Sequence, residues 1–221
     1  MISRNITDFL KKLSENNNRE WFQANKKLYD IARKEFEDFT KQFILIIAAF
    51  DKEVAWLEPK DCIFRIYRDT RFSNDKTPYK TNFGAYVVKG GRKSEFAGYY
   101  INIEPNNYFL SGGIWMPLSE NLKKVRTEIF QNPDEFLNII NSPTFKKHFG
   151  KLSDEDMLKT VPKDFPKDFK YIDLLHYRSY VALKPVPENL VSNIKFMDEL
   201  TKVFQALYPF NKFINNALAN N

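Results

Sequence analysis

The sequence predicts an α+β fold in which a central antiparallel sheet, arranged as a meander, packs against long helices from the N- and C-terminal ends. Two observations carry this expectation. Apolar residues recur at spacings of three and four before residue 50 and after residue 117, which is the helical period. Between them lie short segments rich in aromatic and β-branched residues and bounded by turn formers, which is the strand signature. No Gly/Ser-rich stretch divides the chain, so residues 1–221 are expected to form a single domain. With 43% hydrophobic and 28% charged residues, the composition is that of a globular protein. Its 21 phenylalanines supply the bulk for a well-filled core.

The elements follow in order. Ile6, Phe9, Leu10 and Leu13 mark a short amphipathic helix that stops at Asn16-Asn17-Asn18. Asn17 followed by Glu20 has the form of a capping box opening a second helix. From there Phe22, Asn25, Tyr29, Ala32, Phe36, Phe39, Phe43, Ile46 and Phe50 form a seam expected on one unbroken helix, about 45 Å long at 1.5 Å per residue. The heptad spacing admits a coiled coil, but the aromatic membership suits packing on a sheet. Asn25 is the seam's polar member and is expected to find hydrogen-bond partners. Strands are expected at 62–68, 83–89, 97–104 and 108–111, joined by turns at Gly90-Gly91 and Pro105-Asn106-Asn107, with Gly112-Gly113 breaking the last. Helices return at 118–130 and 133–140, the second with Pro133 in its first turn. Residues 160–169, carrying Pro162 and Pro166, read as an exposed loop. Leu190, Ile194, Met197, Thr201, Phe204 and Tyr208 mark a final helix face ending near Pro209.

Several chemistries are set aside. The one cysteine, Cys62, permits no disulfide within the chain and has no base beside it in sequence, so it reads as a buried thiol. His148 and His176 are too few and too scattered for a zinc site. The sequence contains no phosphate-binding glycine loop and no dinucleotide fingerprint. Leu110-Ser111-Gly112-Gly113 lacks the glycine that a nucleophile elbow needs two residues before its serine. No metal and no cofactor is expected. The N-terminus has no secretory apolar region, and the longest apolar run, residues 43–50, falls far short of the ~20 residues that cross a bilayer. A cytoplasmic protein without a membrane partner is the expectation.

The formal net charge is +6, and it is concentrated: from Asp61 to Tyr100 eight basic residues stand against four acidic ones, so this stretch carries +4. Within it Arg65, Arg68, Arg71, Lys76 and Lys80 fall on a strand end and its loop, with Phe72 and Tyr79 interleaved. Guanidinium forks bind phosphate or carboxylate, and an anion relieves the repulsion of clustering them. The candidate ligand-binding residues are therefore Arg65, Arg68, Arg71, Lys76 and Lys80, with Tyr79 and Trp115 as walls. Asp69 and Asp75 are the candidate acids or bases, kept ionised by their neighbours. Three readings stay open: an enzyme or binding protein for an anionic small molecule, a nucleic-acid-associated accessory protein using the same surface, and an interaction protein whose Arg/Lys loop is structural because Asp69 and Asp75 pair with the bases.

Asn18-Arg19-Glu20-Trp21-Phe22 with Asn25-Lys26 and Tyr29, the stretch from Arg65 to Lys80, and Gly112-Gly113-Ile114-Trp115-Met116-Pro117 together resemble the bacterial and fungal domain-of-unknown-function family 2461. Leu158-Lys159, Pro162-Lys163 and Leu174-Leu175 are similar to that family's C-terminal half. Ser111 stands where the family usually has a further glycine. The resemblance covers nearly the whole chain and implies one α+β domain of about this length. It brings no activity and no catalytic residue.

Overall fold

The computed structural model describes residues 1–219. Helix α1 (Arg4–Glu15) turns Ile6, Phe9, Leu10 and Leu13 inward, and the Ser3 side chain caps its start. After the asparagine run come α2 (Arg19–Ala24) and α3 (Lys26–Ala48). The expected single helix is thus broken at Asn25, whose backbone leaves the helical region and whose amide donates back to the Trp21 carbonyl at 2.9 Å. Asn18, rather than Asn17, caps α2 by accepting from the Trp21 N–H. The apolar period survives the break because Phe22 and Tyr29 still meet, with ring centroids 5.1 Å apart.

Residues 62–68 do not form the expected strand. Pro59–Cys62 is a short helix, α4; the segment beyond it touches the sheet by an isolated bridge from Ile63 to Ala85 and pairs with itself through a bridge from Tyr67 to Tyr79. The sheet itself is β1 (Phe83–Val87), β2 (Gly98–Ile103), β3 (Phe109–Ile114) and β4 (Tyr180–Pro185), antiparallel throughout in the order β1-β2-β3-β4. Tyr86 faces Tyr100, Tyr100 faces Ser111, and Ser111 faces Leu183 across the ladders. Gly112-Gly113 does not end β3. Leu207 and Phe210 rest where side chains on these glycines would stand, so the pair lets a helix approach the strand closely.

Between β3 and β4 lie α5 (Ser119–Gln131), α6 (Pro133–Ile140) and α7 (Pro143–Phe149), and after β4 come α8 (Glu188–Val191) and α9 (Phe196–Ala219). α9 runs through Pro209 instead of ending there. Pro209 and Gln205, whose carbonyl loses its donor, are both exposed, so that carbonyl is not buried unpaired, while Phe204, Leu207, Phe210 and Ile214 stay buried on the other side.

Alternation along the strands sorts the side chains. Ala85, Tyr99, Ile101, Leu110 and Ala182 point to the helices and are buried. Phe36 of α3 stacks on Phe83 at 5.2 Å, and Phe204 of α9 lies 5.2 Å from Phe43 and 5.5 Å from Tyr99. The opposite, outer face carries Gly84, Tyr86, Tyr100, Asn102, Phe109, Ser111 and Leu183. Among the described residues no helix is long and apolar enough to cross a membrane. Phe39 is 5% exposed and stacks between Phe36 and Phe196 at 6.0 and 6.2 Å. Phe39→Ala is expected to cost about 3–5 kcal/mol in urea unfolding; an unchanged midpoint would contradict this packing.

Candidate anion site on the outer sheet face

The basic segment is held to the sheet by backbone bonds. The Phe64 N–H donates to the Gly84 carbonyl at 3.0 Å, and the chain then folds back so that the Lys80 N–H reaches Ile66 at 2.8 Å and the Arg68 N–H reaches Pro78 at 3.0 Å. The Asn17 amide clamps this ribbon from the helical side, accepting from the Tyr79 N–H at 3.1 Å and donating to the Tyr79 carbonyl at 2.9 Å. Regular strand alternation fails here: Ile63 and Ile66, three residues apart, both enter the core. Tyr79 is 3% exposed and stacks on Phe22 at 4.0 Å and 12°, so it is a foundation of the segment and not a wall facing a ligand.

The loop beyond largely neutralises itself. Arg68 Nη1 donates to Asp75 and to Thr77. Arg71 forks onto Asp69 at 2.9 and 2.6 Å and lies against Phe72. Lys76 Nζ donates to the Thr70 carbonyl at 3.0 Å. The hydrogen bonds from Arg71 and from Arg68 hold the Asp69 and Asp75 carboxyls down to about 2, which makes them poor bases at neutral pH. Arg65, Arg68 and Arg71 therefore do not converge as free guanidinium groups. Trp115 is 75% exposed but lies at the other end of the sheet: it follows Gly113, which pairs with Gly98, whereas Lys80 precedes Phe83, which pairs with Ile103.

Arg65 and Lys80 remain. Among the described residues neither forms an ion pair with a carboxylate, although the field of Arg65 reaches Asp69. Lys80 is half-buried, with Nζ 5.4 Å from the Phe64 ring centre. Burial first, and then the charge of Arg65, pushes the Lys80 ammonium below its ordinary value. Phe64 meets Tyr100 edge-on at 6.2 Å, and Tyr100 meets Phe109 at 5.8 Å, giving an aromatic row across the outer face. Gly84 makes the row possible, because a side chain there would collide with the Tyr100 ring. Beside the row, Asn102 Oδ1 accepts from Asn82 at 2.7 Å and from the Tyr100 hydroxyl at 3.1 Å. Burial, with a smaller push from Glu104, raises the Tyr100 hydroxyl to about 12, so it stays a donor.

Phe64, Tyr100, Asn82 and Asn102 were not among the residues singled out from sequence. The signal for Tyr100 and Asn102 was the alternation of β2; for Phe64 only the register of an irregular ribbon would have revealed it. Cys62 is fully buried, and burial pushes its thiol up to about 12, the environment of an inert cysteine.

Fold and site together define an α+β protein in which a helix-backed antiparallel meander leaves one face open, with two cations at its edge. The chain belongs to the conserved hypothetical protein family DUF2461, whose model matches residues 5–213. No curated protein and no solved structure matches it.

Asn17→Ala removes both bonds to Tyr79 and is expected to destabilise the protein by about 1–3 kcal/mol, with faster proteolytic cutting between residues 68 and 78; equal cutting would show that the clamp is dispensable. The carboxyls of Asp69 and Asp75 are depressed, so their pairing is complete above the ordinary aspartate value and is lost as pH falls towards about 2. Carboxylate 13C titration should show both below the ordinary midpoint, and ordinary midpoints would mean that the loop is unpaired in solution.

Proposed function

We propose that the protein holds a phosphate- or carboxylate-bearing small molecule on its outer sheet face, with Arg65 and Lys80 as the anion-binding pair. The observation that carries this reading is the pair itself: two neighbouring cations, one of them half-buried, with no carboxylate partner among the described residues. Such a pair costs repulsion and desolvation that a bound anion offsets. Phe64, Tyr100 and Phe109 offer ring surface next to it, and the partly exposed amide of Asn82 offers a polar edge, held in place by buried Asn102. Nucleotides and sugar phosphates match that combination of planar or hydroxylated body and anionic group. Arg68, Arg71 and Lys76 then frame the loop that positions the pair, with Asp75, Asp69 and the Thr70 carbonyl as their respective partners.

The open aromatic row also favours a second reading, single-stranded nucleic acid stacked across the sheet with its backbone on the cations. A purely structural role accounts for Arg68 and Arg71 but leaves Arg65 and Lys80 without a reason.

Thermal-shift measurements with AMP, ribose 5-phosphate and a thymidine oligonucleotide separate the readings. At about a hundredfold excess over Kd, a ligand of the folded state contributes about 2.7 kcal/mol, which for a chain of this size raises Tm by roughly 5–10 °C. AMP or ribose 5-phosphate is expected to give such a shift, Lys80→Ala and Arg65→Ala to remove it, and Arg71→Ala to keep it. A steeply salt-dependent response to the oligonucleotide alone would select the second reading. A flat response to all three would leave the face without a ligand role.

A further inference from the structure

A second place in the molecule combines a groove with a buried cation that has no carboxylate partner among the described residues. Beyond β3 the chain passes Met116, which adopts φ 47° and whose N–H is fixed by Ser179 Oγ at 2.9 Å. It then enters α5 behind Leu118, which has no side chain able to cap the first turn. The N–H groups at the start of this thirteen-residue helix thus receive no side-chain cap. Two turns further on, Arg126 is only 8% exposed. Its Nη2 donates to the Tyr177 carbonyl at 2.8 Å, and the guanidinium also meets the Tyr180 hydroxyl. Among the described residues it has no carboxylate partner, and its Nε is buried without any acceptor. Burial lowers its proton affinity, and Arg178 adds like charge nearby. Burying a guanidinium under these terms is costly.

Arg126 lines a groove of about 600 Å3 between α5 and residues 158–165. Leu158, Val161, Pro162 and Phe165 make its wall apolar. Lys123 on the rim is already paired with Asp164 at 3.1 Å. The remaining ionised groups of the lining are Arg126, Lys163 and Glu120, whose sum is one positive charge. That balance suits a single negative charge, since Glu120 would repel a second. The groove is separate from the Arg65–Lys80 pair, because α5 starts beyond the C-terminal end of β3 while Lys80 precedes β1 at the opposite end of the sheet.

We propose that this groove binds a small organic carboxylate with an apolar body, its carboxylate directed to Arg126 and the start of α5, and its body against Leu158, Val161 and Phe165. The carboxylate supplies the countercharge that Arg126 lacks among the described residues, and the apolar wall contributes affinity through burial.

The test is titration calorimetry on the full chain with 3-phenylpropionate, its uncharged counterpart 3-phenylpropanamide and inorganic phosphate, together with 15N spectra of the arginine Nε–H groups. The acid is expected to bind at least about tenfold more tightly than the amide, a difference of about 1.4 kcal/mol, and to move the Arg126 Nε–H resonance. Phosphate, which has no apolar body, should bind more weakly than the acid. Val161→Trp fills the groove from its partly exposed wall and should abolish binding. Lys163→Glu, a surface change, should weaken binding, and Lys80→Ala should leave it unchanged. Arg126→Met should remove it too; if that variant does not fold, Val161→Trp and Lys163→Glu decide. Equal binding of acid and amide, full binding by Val161→Trp, or no binding of the acid at millimolar concentration would each overturn the proposal.

Discussion

Among the described residues helices cover one face of the sheet and not the other, and most of the molecule's organisation follows from that. The strands alternate, so each apolar residue placed under α3 or α9 sends its neighbour to the other side. Phe83, Tyr99, Leu110 and Ala182 meet the helices and are buried. Their neighbours Gly84, Tyr100, Phe109, Ser111 and Val181 must then form a surface with no second layer over it. That surface manages its own polarity: Asn102 is 4% exposed, yet its amide is satisfied by Asn82, Tyr100 and the Asn107 carbonyl. An antiparallel sheet tolerates this arrangement, as a parallel one rarely does.

Two asparagine side chains fasten the irregular backbone at opposite ends of the sheet. Asn17 makes a paired bond to Tyr79, and Asn215 of α9 does the same to Ala97, accepting at 2.7 Å and donating at 3.0 Å. Each amide imitates the missing partner of a strand residue. The Asn17 clamp matters for the candidate site because it fixes Tyr79, and with it the backbone of Lys80, against the aromatic cluster of Phe22 and Tyr67. The flanking loop is then free to neutralise itself through Arg68–Asp75 and Arg71–Asp69 without moving Lys80.

The fold class was legible because it rests on period, which survives local irregularity: the seam of α2 and α3 reads through the break at Asn25, and β1, β2 and β3 lie within two or three residues of their expected bounds. β4, as long as β2 and β3, escaped notice because it ends in Pro185. As an edge strand it can carry a proline whose missing N–H faces away from the ladder. Pro209 misled for the opposite reason, since packing on both sides outweighs one lost hydrogen bond. The candidate site was legible in composition but not in pairing. Charge counting found the five bases, yet which arginine meets which aspartate depends on loop geometry, and the position of Trp115 at the far end depends on strand register. The groove at Arg126 left no sequence signal, because an arginine in an amphipathic helix ordinarily reaches solvent.

The proposed anion site turns on Lys80, half-buried beside Arg65 and without a carboxylate partner among the described residues. The direct measurement is its titration by NMR on 13C-dimethylated protein, assigned with Lys80→Arg, with and without AMP. A lysine whose folded value is depressed penalises the protonated folded state, and that penalty is relieved as pH rises through the folded value. A bound phosphate reverses the shift. The Lys80 midpoint is expected below the ordinary lysine value and to climb when AMP is added. A midpoint at the ordinary value, indifferent to AMP, would contradict this.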